Sequence, residues 1–202
     1  MLISDKNKFV FVAIPKTGTR TIYKILKENY KPSFTKDYYN HIPKWASKYF
    51  RFTVIRNPYA RAVSLWYSLI RKPGVSNGLA RAIRGMNLAE FFKFLIKNAE
   101  NGGTYHPLTL NTQSLYFKSV IRFDAILRTE SLEQDFLDLP FVNEDIKAKF
   151  KNKFPHLNKD VRGFNYKAYL TNEAIEAINI YYSEDFIYLR DFYTKLDPYN
   201  TY

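Results

Sequence analysis

Two short apolar runs along the chain are each followed by a helix-like pattern. Residues 9–14 form a continuous run of strand formers, which is typical of a parallel strand covered on both faces. After a short loop, apolar side chains recur at the spacing of one helical face, at Ile22, Ile25, Leu26 and Tyr30. This pattern predicts a strand, a tight loop and a helix.

The same order recurs farther along the chain. Residues 50–55 predict a second strand, and Asn57 and Pro58 suit the N-cap and the first position of a following helix. The apolar face of that helix carries Val63, Trp66, Tyr67 and Ile70. A second strand-loop-helix unit is therefore expected.

The rest of the chain contains further helices and one more strand. Residues 72–85 are rich in glycine and proline and predict a loop, whereas Asn87 and Glu90 have capping-box spacing and predict a helix over 87–99. The other predicted elements are a helix near 108–117, a strand over 123–127, helices beginning near Thr129 and Asn143, a loop over 154–169 and a long helix capped by Thr171.

The alternation of strands and helices defines the expected fold class. It predicts an α/β fold whose central, mostly parallel sheet is flanked by helices. The length of 202 residues and the lack of a visible linker predict a single domain over residues 1–202.

Composition excludes several kinds of site. The chain has no cysteine, which excludes disulfides, thiolate catalysis and cysteine zinc sites, and its three histidines are far apart, so no metal site is expected. No stretch is long enough to span a membrane. The first eight residues are polar and charged, and the apolar run after them is too short for a signal-peptide core. We therefore expect a cytoplasmic protein.

The net charge of +12 favours an anionic ligand. Lysine and arginine number 31 against 19 aspartates and glutamates, and such a surface attracts phosphates, sulfates or nucleic acid. A generally basic, solvated surface is the alternative for most of these charges. No run of five or six like charges forms a basic tail.

The loop of residues 14–21, Ile-Pro-Lys-Thr-Gly-Thr-Arg-Thr, is the first candidate anion site. It joins a predicted buried strand to a helix, where backbone N–H groups and the helix dipole favour an anion. Gly18 lets the backbone fold closely around a ligand, and Lys16 adds a cation. Hydroxyl donors are offered by Thr17, Thr19 and Thr21. The lysine precedes the glycine, unlike in a Walker A loop, so ATP with magnesium is not the first choice.

The second candidate anion site begins at the end of the second strand. Arg56 lies at the carboxyl end of the strand, where ligands of open parallel sheets bind, and its guanidinium can grip a phosphate with two hydrogen bonds. Ser64 lies about two helical turns farther on and offers a hydroxyl. A surface ion pair for Arg56 and a packing role for Ser64 are the alternatives.

Together these two segments resemble the sulfotransferases that use PAPS (3′-phosphoadenosine 5′-phosphosulfate). Residues 15–21 resemble their 5′-phosphosulfate loop, and residues 55–64 resemble their 3′-phosphate motif, R-[DN]-P-x-x-R-x-x-S. The spacing between the two motifs is similar to that of the carbohydrate-modifying, heparan- and chondroitin-type branch. The resemblance implies a P-loop-kinase-like, three-layer fold that binds PAPS or its product PAP.

The resemblance also implies roles for individual residues. Lys16 would offset negative charge on the departing PAP, and the 3′-phosphate would be held by Arg56 and Ser64. The 5′-phosphate and sulfate would be held by Lys16, Thr17, Gly18, Thr19, Arg20 and Thr21. No metal is expected, because this chemistry does not require magnesium and no carboxylate pair near the loops suggests it.

Weaker similarities lie in later segments. Residues 40–45 are similar to a segment of heparan-type sulfotransferases whose histidine is the base, which implies His41 as the catalytic base, with His106 as the second candidate. Residues 156–159 resemble a late His-x-Asn-Lys-Ser segment, but Asp160 stands where that segment has serine. Possible substrate or late-loop contacts are His106, Lys159 and Arg162.

The expected acceptor is a hydroxyl group, most simply that of a polysaccharide or glycolipid. Aromatic side chains that suit a sugar ring are Tyr38, Tyr39, Trp45, Trp66 and Tyr105, although core packing is the alternative for each. A protein tyrosine or a small phenol is the other class of acceptor.

Three other functions are compatible with parts of the sequence. A P-loop-type nucleotide kinase would bind ATP with magnesium, but the Walker lysine is missing. A nucleic-acid-binding protein would use the positive charge, but no recognised nucleic-acid motif is present, and no nucleic acid is expected as a partner. A non-catalytic relative would bind PAP or a glycan without turnover.

Overall fold

The computed structural model describes residues 1–36, 41–70, 78–103, 108–120, 122–151, 153–155 and 165–199. The chain divides into two compact units. The first comprises Met1–Arg56 and Leu115–Val161, and the second comprises Asn57–Ser114 and Arg162–Tyr202. The expectation of a single domain over residues 1–202 stays a prediction.

The first unit contains a five-stranded sheet. Its strands are β1 (Leu2–Ser4), β2 (Phe9–Val12), β3 (Phe34–Thr35), β4 (Phe50–Ile55) and β5 (Ala125–Arg128). Their order across the sheet is β3-β1-β2-β4-β5. β4 is parallel to β2 and β5, whereas β1 is antiparallel to both β2 and β3. Four of the five described strands thus point the same way, which confirms the predicted α/β class with a mostly parallel sheet.

The strand predictions needed three corrections. The N-terminal segment was expected to be only polar and charged, but Leu2 and Ile3 are fully buried in β1, and the polar composition belongs to the turn over residues 5–8. β2 ends at Val12 rather than at residue 14, because the chain leaves the sheet to form the loop. β5 begins at Ala125, two residues later than predicted, where its pairing with Phe52 starts.

Nine α-helices are described. In chain order they are α1 (Thr19–Tyr30), α2 (Pro58–Ile70), α3 (Gly78–Ala82), α4 (Leu88–Glu100), α5 (Ser114–Ser119), α6 (Leu132–Leu137), α7 (Glu144–Phe150), α8 (Asn172–Tyr181) and α9 (Ser183–Tyr188). Short 3₁₀ turns lie at Lys44–Ala46, Leu108–Leu110, Thr129–Ser131 and Tyr166–Tyr169. No helix in these described ranges is both long and apolar enough to cross a membrane.

The predicted helix caps are confirmed. The Asn57 side chain accepts a hydrogen bond from the Tyr59 N–H at 2.9 Å at the start of α2. Asn87 and Glu90 form both bonds of the capping box of α4. Thr171 caps α8 by accepting from the N–H of residue 174 at 3.2 Å. Each cap satisfies an N–H that has no partner within its helix.

The other helix predictions were wrong in part. Residues 72–85 were expected to be a loop, but α3 occupies residues 78–82, because Leu79 and Ile83 pack in a core. The helix expected over 108–117 is a 3₁₀ turn followed by α5. The long last helix breaks at Tyr182 into α8 and α9. The loop expected over 154–169 ends in a 3₁₀ turn, and most of it lies outside the described residues.

Each unit has its own apolar core. In the first unit, Phe9 stacks on Phe141 with ring centroids 4.2 Å apart, and Phe11 stacks on Phe52 at 5.1 Å, below the apolar face of α1. In the second unit, α2, α4 and α8 bury their apolar faces together, and the Phe92 ring contacts those of Phe91, Tyr181 and Tyr182. The high aromatic content of the chain is thus largely used in packing.

Candidate functional site

The carboxyl ends of three parallel strands meet at one edge of the sheet in the first unit. β2, β4 and β5 lie side by side, and their register places Val12 beside Thr53 and Ile55 beside Arg128. We call this edge, with the segments 13–18, 56 and 129–131 that leave it, the carboxyl edge. In open α/β sheets, ligands bind just outside such strand ends.

Thr129 connects these strand ends. Its hydroxyl oxygen lies 3.0 Å from the carbonyl oxygen of Thr17 and 2.9 Å from that of Ile55, so its single hydrogen can be donated to either of these two acceptors. The sequence pattern predicts Thr129 only as the start of a helix. Its position directly after a strand was the one sequence signal that it lies near the site. Its hydrogen-bond partners could not be predicted from the sequence, because they are 112 and 74 residues away.

Arg56 and Lys16 lie together at the carboxyl edge. A guanidinium nitrogen of Arg56, Nη1, donates a hydrogen bond of 3.3 Å to the Lys16 carbonyl oxygen. Both residues are partly buried. The two anion-binding segments of the sequence therefore meet, and the side chain of one contacts the backbone of the other.

The loop between β2 and α1 is closed by its own hydroxyl groups. Thr17 Oγ1 donates to the Ile14 carbonyl oxygen at 2.9 Å, and Thr19 Oγ1 donates to the same oxygen at 2.5 Å. Both side chains are buried, as is that of Thr21. The hydroxyl hydrogens of Thr17 and Thr19 therefore hold the loop, and the donors that the loop offers to an anion are the N–H groups at the start of α1.

Two residues of the loop have left-handed backbone conformations. Gly18 has φ +85° and is the N-cap of α1, and Lys16 has φ +71°. A Cβ at position 18 would lie 3.1 Å from Leu132 Cδ2, so the position is restricted by both conformation and space. Left-handed conformations in residues with a side chain are costly and are concentrated at ligand sites.

The electrostatics of the loop favour an anion. The first turn of α1 contains no acidic residue and carries the exposed Arg20. The positive end of the helix dipole, Arg20, Lys16 and Arg56 therefore act at the same edge.

The comparison with protein families identifies the chain. Residues 1–190 match the Sulfotransferase family. The chain belongs to the sulfotransferase family. Membership supports sulfuryl transfer as its general activity. The comparisons with curated proteins and with solved structures gave no match.

The second arginine of the sulfotransferase motif has a different environment from the first. Arg61 is fully buried in α2, donates to the Asn111 carbonyl oxygen at 2.5 Å and lies over the Tyr182 ring at 5.3 Å. The buried Asp185 carboxylate accepts from the N–H groups of Gln113 and Ser114 at 3.1 and 2.7 Å. These contacts order the second unit of the sulfotransferase.

Opposing effects act on the buried Asp185. Desolvation raises the pKa of its carboxyl group, and the positive charge of Arg61 and the two backbone N–H donors act in the opposite direction. The sequence motif R-[DN]-P-x-x-R-x-x-S contains Arg61 but gives no role for it, and it does not include Asp185. The position of a charged residue inside the apolar pattern of α2 was a further signal for Arg61.

Other predicted site residues of the sulfotransferase lie in different places. His41 is exposed, on the connection between β3 and β4. Ser64 is partly buried on α2 in the second unit. His106, Lys159 and Arg162 lie outside the described residues.

The aromatic candidates for sugar stacking differ in their exposure to solvent. Trp66 is 9% exposed and donates its indole N–H to the Met86 carbonyl oxygen at 3.0 Å, so of its two predicted uses it has the core-packing one. Trp45 is 52% exposed. The other three, Tyr38, Tyr39 and Tyr105, lie outside the described residues.

Acidic and histidine side chains do not gather into a metal site in the described part of the chain. No group of three or more such residues is placed to hold an ion there.

Proposed function

We propose that this sulfotransferase moves a sulfuryl group from PAPS to a hydroxyl group of a carbohydrate. The observation that carries the proposal is the contact between the Arg56 guanidinium and the Lys16 carbonyl oxygen at 3.3 Å. It brings the Arg56 guanidinium against the backbone of the loop that carries Lys16 and precedes α1, which suits a nucleotide with phosphate groups at two positions.

The donor roles follow from the chemistry of these groups. The N–H groups at the start of α1, with Arg20, would hold the 5′-phosphosulfate, and Lys16 would offset the charge that develops as PAP leaves. Arg56 would hold the 3′-phosphate, and the family motif gives Ser64 the same ligand. A compact backbone loop around Gly18, with no acidic residue in the first turn of α1, fits such an anion. The proposal includes a three-layer, P-loop-kinase-like fold.

The proposed reaction is an in-line displacement. The bond between sulfur and the departing phosphate oxygen breaks as a bond between sulfur and the acceptor oxygen forms. The proton of the acceptor hydroxyl passes to His41, since an imidazole accepts protons near neutral pH. His106 is the second candidate for this role.

His41 follows β3 in the chain. β3 points in the same direction as β2, so its following residue Lys36 lies toward the carboxyl edge, and the Lys36 N–H bonds to the Met1 carbonyl oxygen at 2.9 Å. His41 comes five residues after Lys36 and three before the 3₁₀ turn at Lys44–Ala46, and β4 then begins at Phe50. The support for His41 as the base is the resemblance of residues 40–45 to the histidine segment of heparan-type sulfotransferases.

A thermal-shift comparison of PAP, AMP and ATP with magnesium tests the donor. At about 100 times its Kd, PAP stabilises the native state by ~2.7 kcal/mol, which raises Tm by roughly 5–10 °C for a chain of this size. AMP, without a 3′-phosphate, should give a much smaller shift. A larger shift with ATP and magnesium than with PAP would reject the proposal in favour of a kinase.

Acceptor screening then tests the sugar. Labelled PAPS is incubated with glycans, a tyrosine peptide and a simple phenol. Transfer to a glycan is expected, and transfer confined to the peptide or the phenol would contradict the carbohydrate part of the proposal.

A further inference from the structure

The opposite edge of the same sheet has a surface of its own. The turn over residues 5–8, the segment 44–49 and residues 122–124 all lie where β2, β4 and β5 begin. The Phe50 N–H bonds to the Lys8 carbonyl oxygen at 2.9 Å, and the Asp124 N–H bonds to that of Arg51 at 2.8 Å. We call these three segments, with Arg51, the amino edge.

An exposed indole stands at the amino edge. Trp45 is 52% exposed, and its ring contacts that of Tyr49 edge-on, with centroids 5.9 Å apart and an interplanar angle of 75°. Tyr49 is fixed in turn, because its hydroxyl bonds to the Asp5 carboxylate and accepts from Lys8 Nζ at 3.1 Å. One side of the Trp45 ring therefore packs against a fixed tyrosine, and the other side is exposed to solvent.

The charge of the amino edge is positive. Both of its carboxylates accept hydrogen bonds. The Asp5 carboxylate accepts from Lys8 Nζ at 2.9 Å, and the Asp124 carboxylate accepts from the backbone N–H of Arg51 at 2.8 Å. The Arg51 guanidinium bonds to the Ser47 carbonyl oxygen. Four further cations are exposed and form no ion pair with a described residue: Lys6, Lys44, Lys48 and Arg122.

This arrangement fits an extended anion rather than a compact one. The cations stand on separate turns and on long, flexible side chains, in contrast to the backbone donors of the carboxyl edge. The indole offers a flat apolar face that suits the C–H face of a sugar ring. Charges spaced along a chain, with sugar rings between them, match both features.

We propose that the amino edge binds an anionic stretch of polysaccharide, of the same polymer that serves as acceptor. This inference rests on the proposed function, because each sulfuryl transfer adds negative charge to the acceptor. A chain that has been modified becomes a polyanion, and its modified stretch is held at the amino edge while an unmodified hydroxyl reaches the carboxyl edge. β4 has six residues, so the two edges are ~20 Å apart along the strand.

A nucleic acid fits the amino edge less well. Single strands bind by stacking successive bases on several aromatic side chains. In the described segments of the amino edge, Trp45 is the one aromatic residue classed as exposed.

Calorimetry with a size-defined sulfated heparin fragment tests the proposal on the whole chain. Two variants weaken the amino edge: Trp45→Ala, and the triple variant Lys6→Gln, Lys44→Gln, Lys48→Gln. The matched control removes the same charge elsewhere, through Lys24→Gln, Lys93→Gln and Lys97→Gln, at exposed positions on α1 and α4. All measurements are made at several salt concentrations with PAP present.

The amino-edge triple variant should lose roughly 10-fold or more in affinity, and its slope of log affinity against log salt should fall by about two, as expected for two to three lost charge contacts. Trp45→Ala should weaken binding by a few-fold with the slope unchanged. Equal losses in the triple variant and the control triple would overturn the proposal. So would a single-stranded DNA of equal charge that binds as tightly as the heparin fragment.

The outcome is separable from that of the proposed function. PAP affinity and transfer to a short acceptor should be the same in the wild type and in both amino-edge variants, whereas the KM for a long sulfated acceptor should rise. An unchanged KM for the long acceptor overturns the inference and leaves sulfuryl transfer intact. If the wild-type protein does not bind PAP, the proposed function fails instead.

Discussion

The two edges of one sheet differ in how they present positive charge. At the carboxyl edge, the Thr17 and Thr19 hydroxyls fix the loop on one carbonyl oxygen, and the donors are backbone groups, the partly buried Lys16 and Arg56, and the exposed Arg20. At the amino edge, the cations are exposed lysines and an arginine on separate turns. A rigid donor set loses little entropy on binding and selects a ligand by shape, whereas flexible charges select mainly by charge density. The comparison teaches that net charge alone does not identify a site.

The largest expected effect concerns the proposed base, which lies outside the segments that define the two edges. His41→Ala should lower kcat by ~10²–10⁴-fold, as is usual when a general base is removed, with PAP affinity nearly unchanged. Steady-state assays with labelled PAPS measure kcat, and calorimetry measures the PAP affinity. A normal rate would reject His41 as the base, and His106→Ala is then the variant to assay.

A pair of arginine variants tests the contrast directly. Arg56→Gln should weaken PAP binding by roughly 10–100-fold, since a hydrogen bond to a charged group contributes ~1.5–3 kcal/mol. Arg51→Gln, at the amino edge of the same strand, should leave PAP binding unchanged. Calorimetry measures both. Equal losses in the two variants would mean that general charge, rather than the carboxyl edge, attracts the nucleotide.

Thr129→Val tests the connection between the strand ends. Loss of the hydroxyl leaves two carbonyl groups without this donor and should lower the free energy of unfolding by about 1–3 kcal/mol. PAP affinity should fall as well. Thr53→Val is the control, because its buried hydroxyl bonds to the Val12 carbonyl oxygen at 2.8 Å within the sheet. Chemical denaturation should show a loss for both variants, and a normal PAP affinity in Thr129→Val would contradict the role of this residue at the site.

The smallest expected effect concerns the loop glycine. Gly18→Ala and Gly85→Ala place a Cβ at almost the same φ, +85° and +83°, and each should cost about 1–2 kcal/mol from the left-handed conformation. At Gly18 the new Cβ also meets Leu132 at 3.1 Å, whereas nothing lies within 4 Å at Gly85. Thermal unfolding should therefore show a larger loss for Gly18→Ala. An equal loss of thermal stability in the two variants would mean that the Leu132 side chain moves aside at no cost.

The sequence allowed the local features of the site to be predicted, because they depend on neighbouring residues. A continuous apolar run, a helix cap and a glycine-containing loop identified β2, β4 and the two anion-binding segments. The motif contains Arg61, but the burial of Arg61 and of Asp185 could not be predicted in this way, since they are 124 residues apart and their burial follows from packing. β1 and β3 have only three and two residues, too few for a periodic signal.

Thr129 has one further consequence for the carboxyl edge. A hydroxyl carries a single hydrogen, which can point to one acceptor at a time, yet two carbonyl oxygens lie within 3.0 Å of this one. A rotation about one bond therefore exchanges one partner for the other without moving any carbon, nitrogen or oxygen atom. If a bound ligand draws either segment slightly away, the hydrogen turns to the segment that stays, and the strand ends keep a bonded partner throughout the cycle.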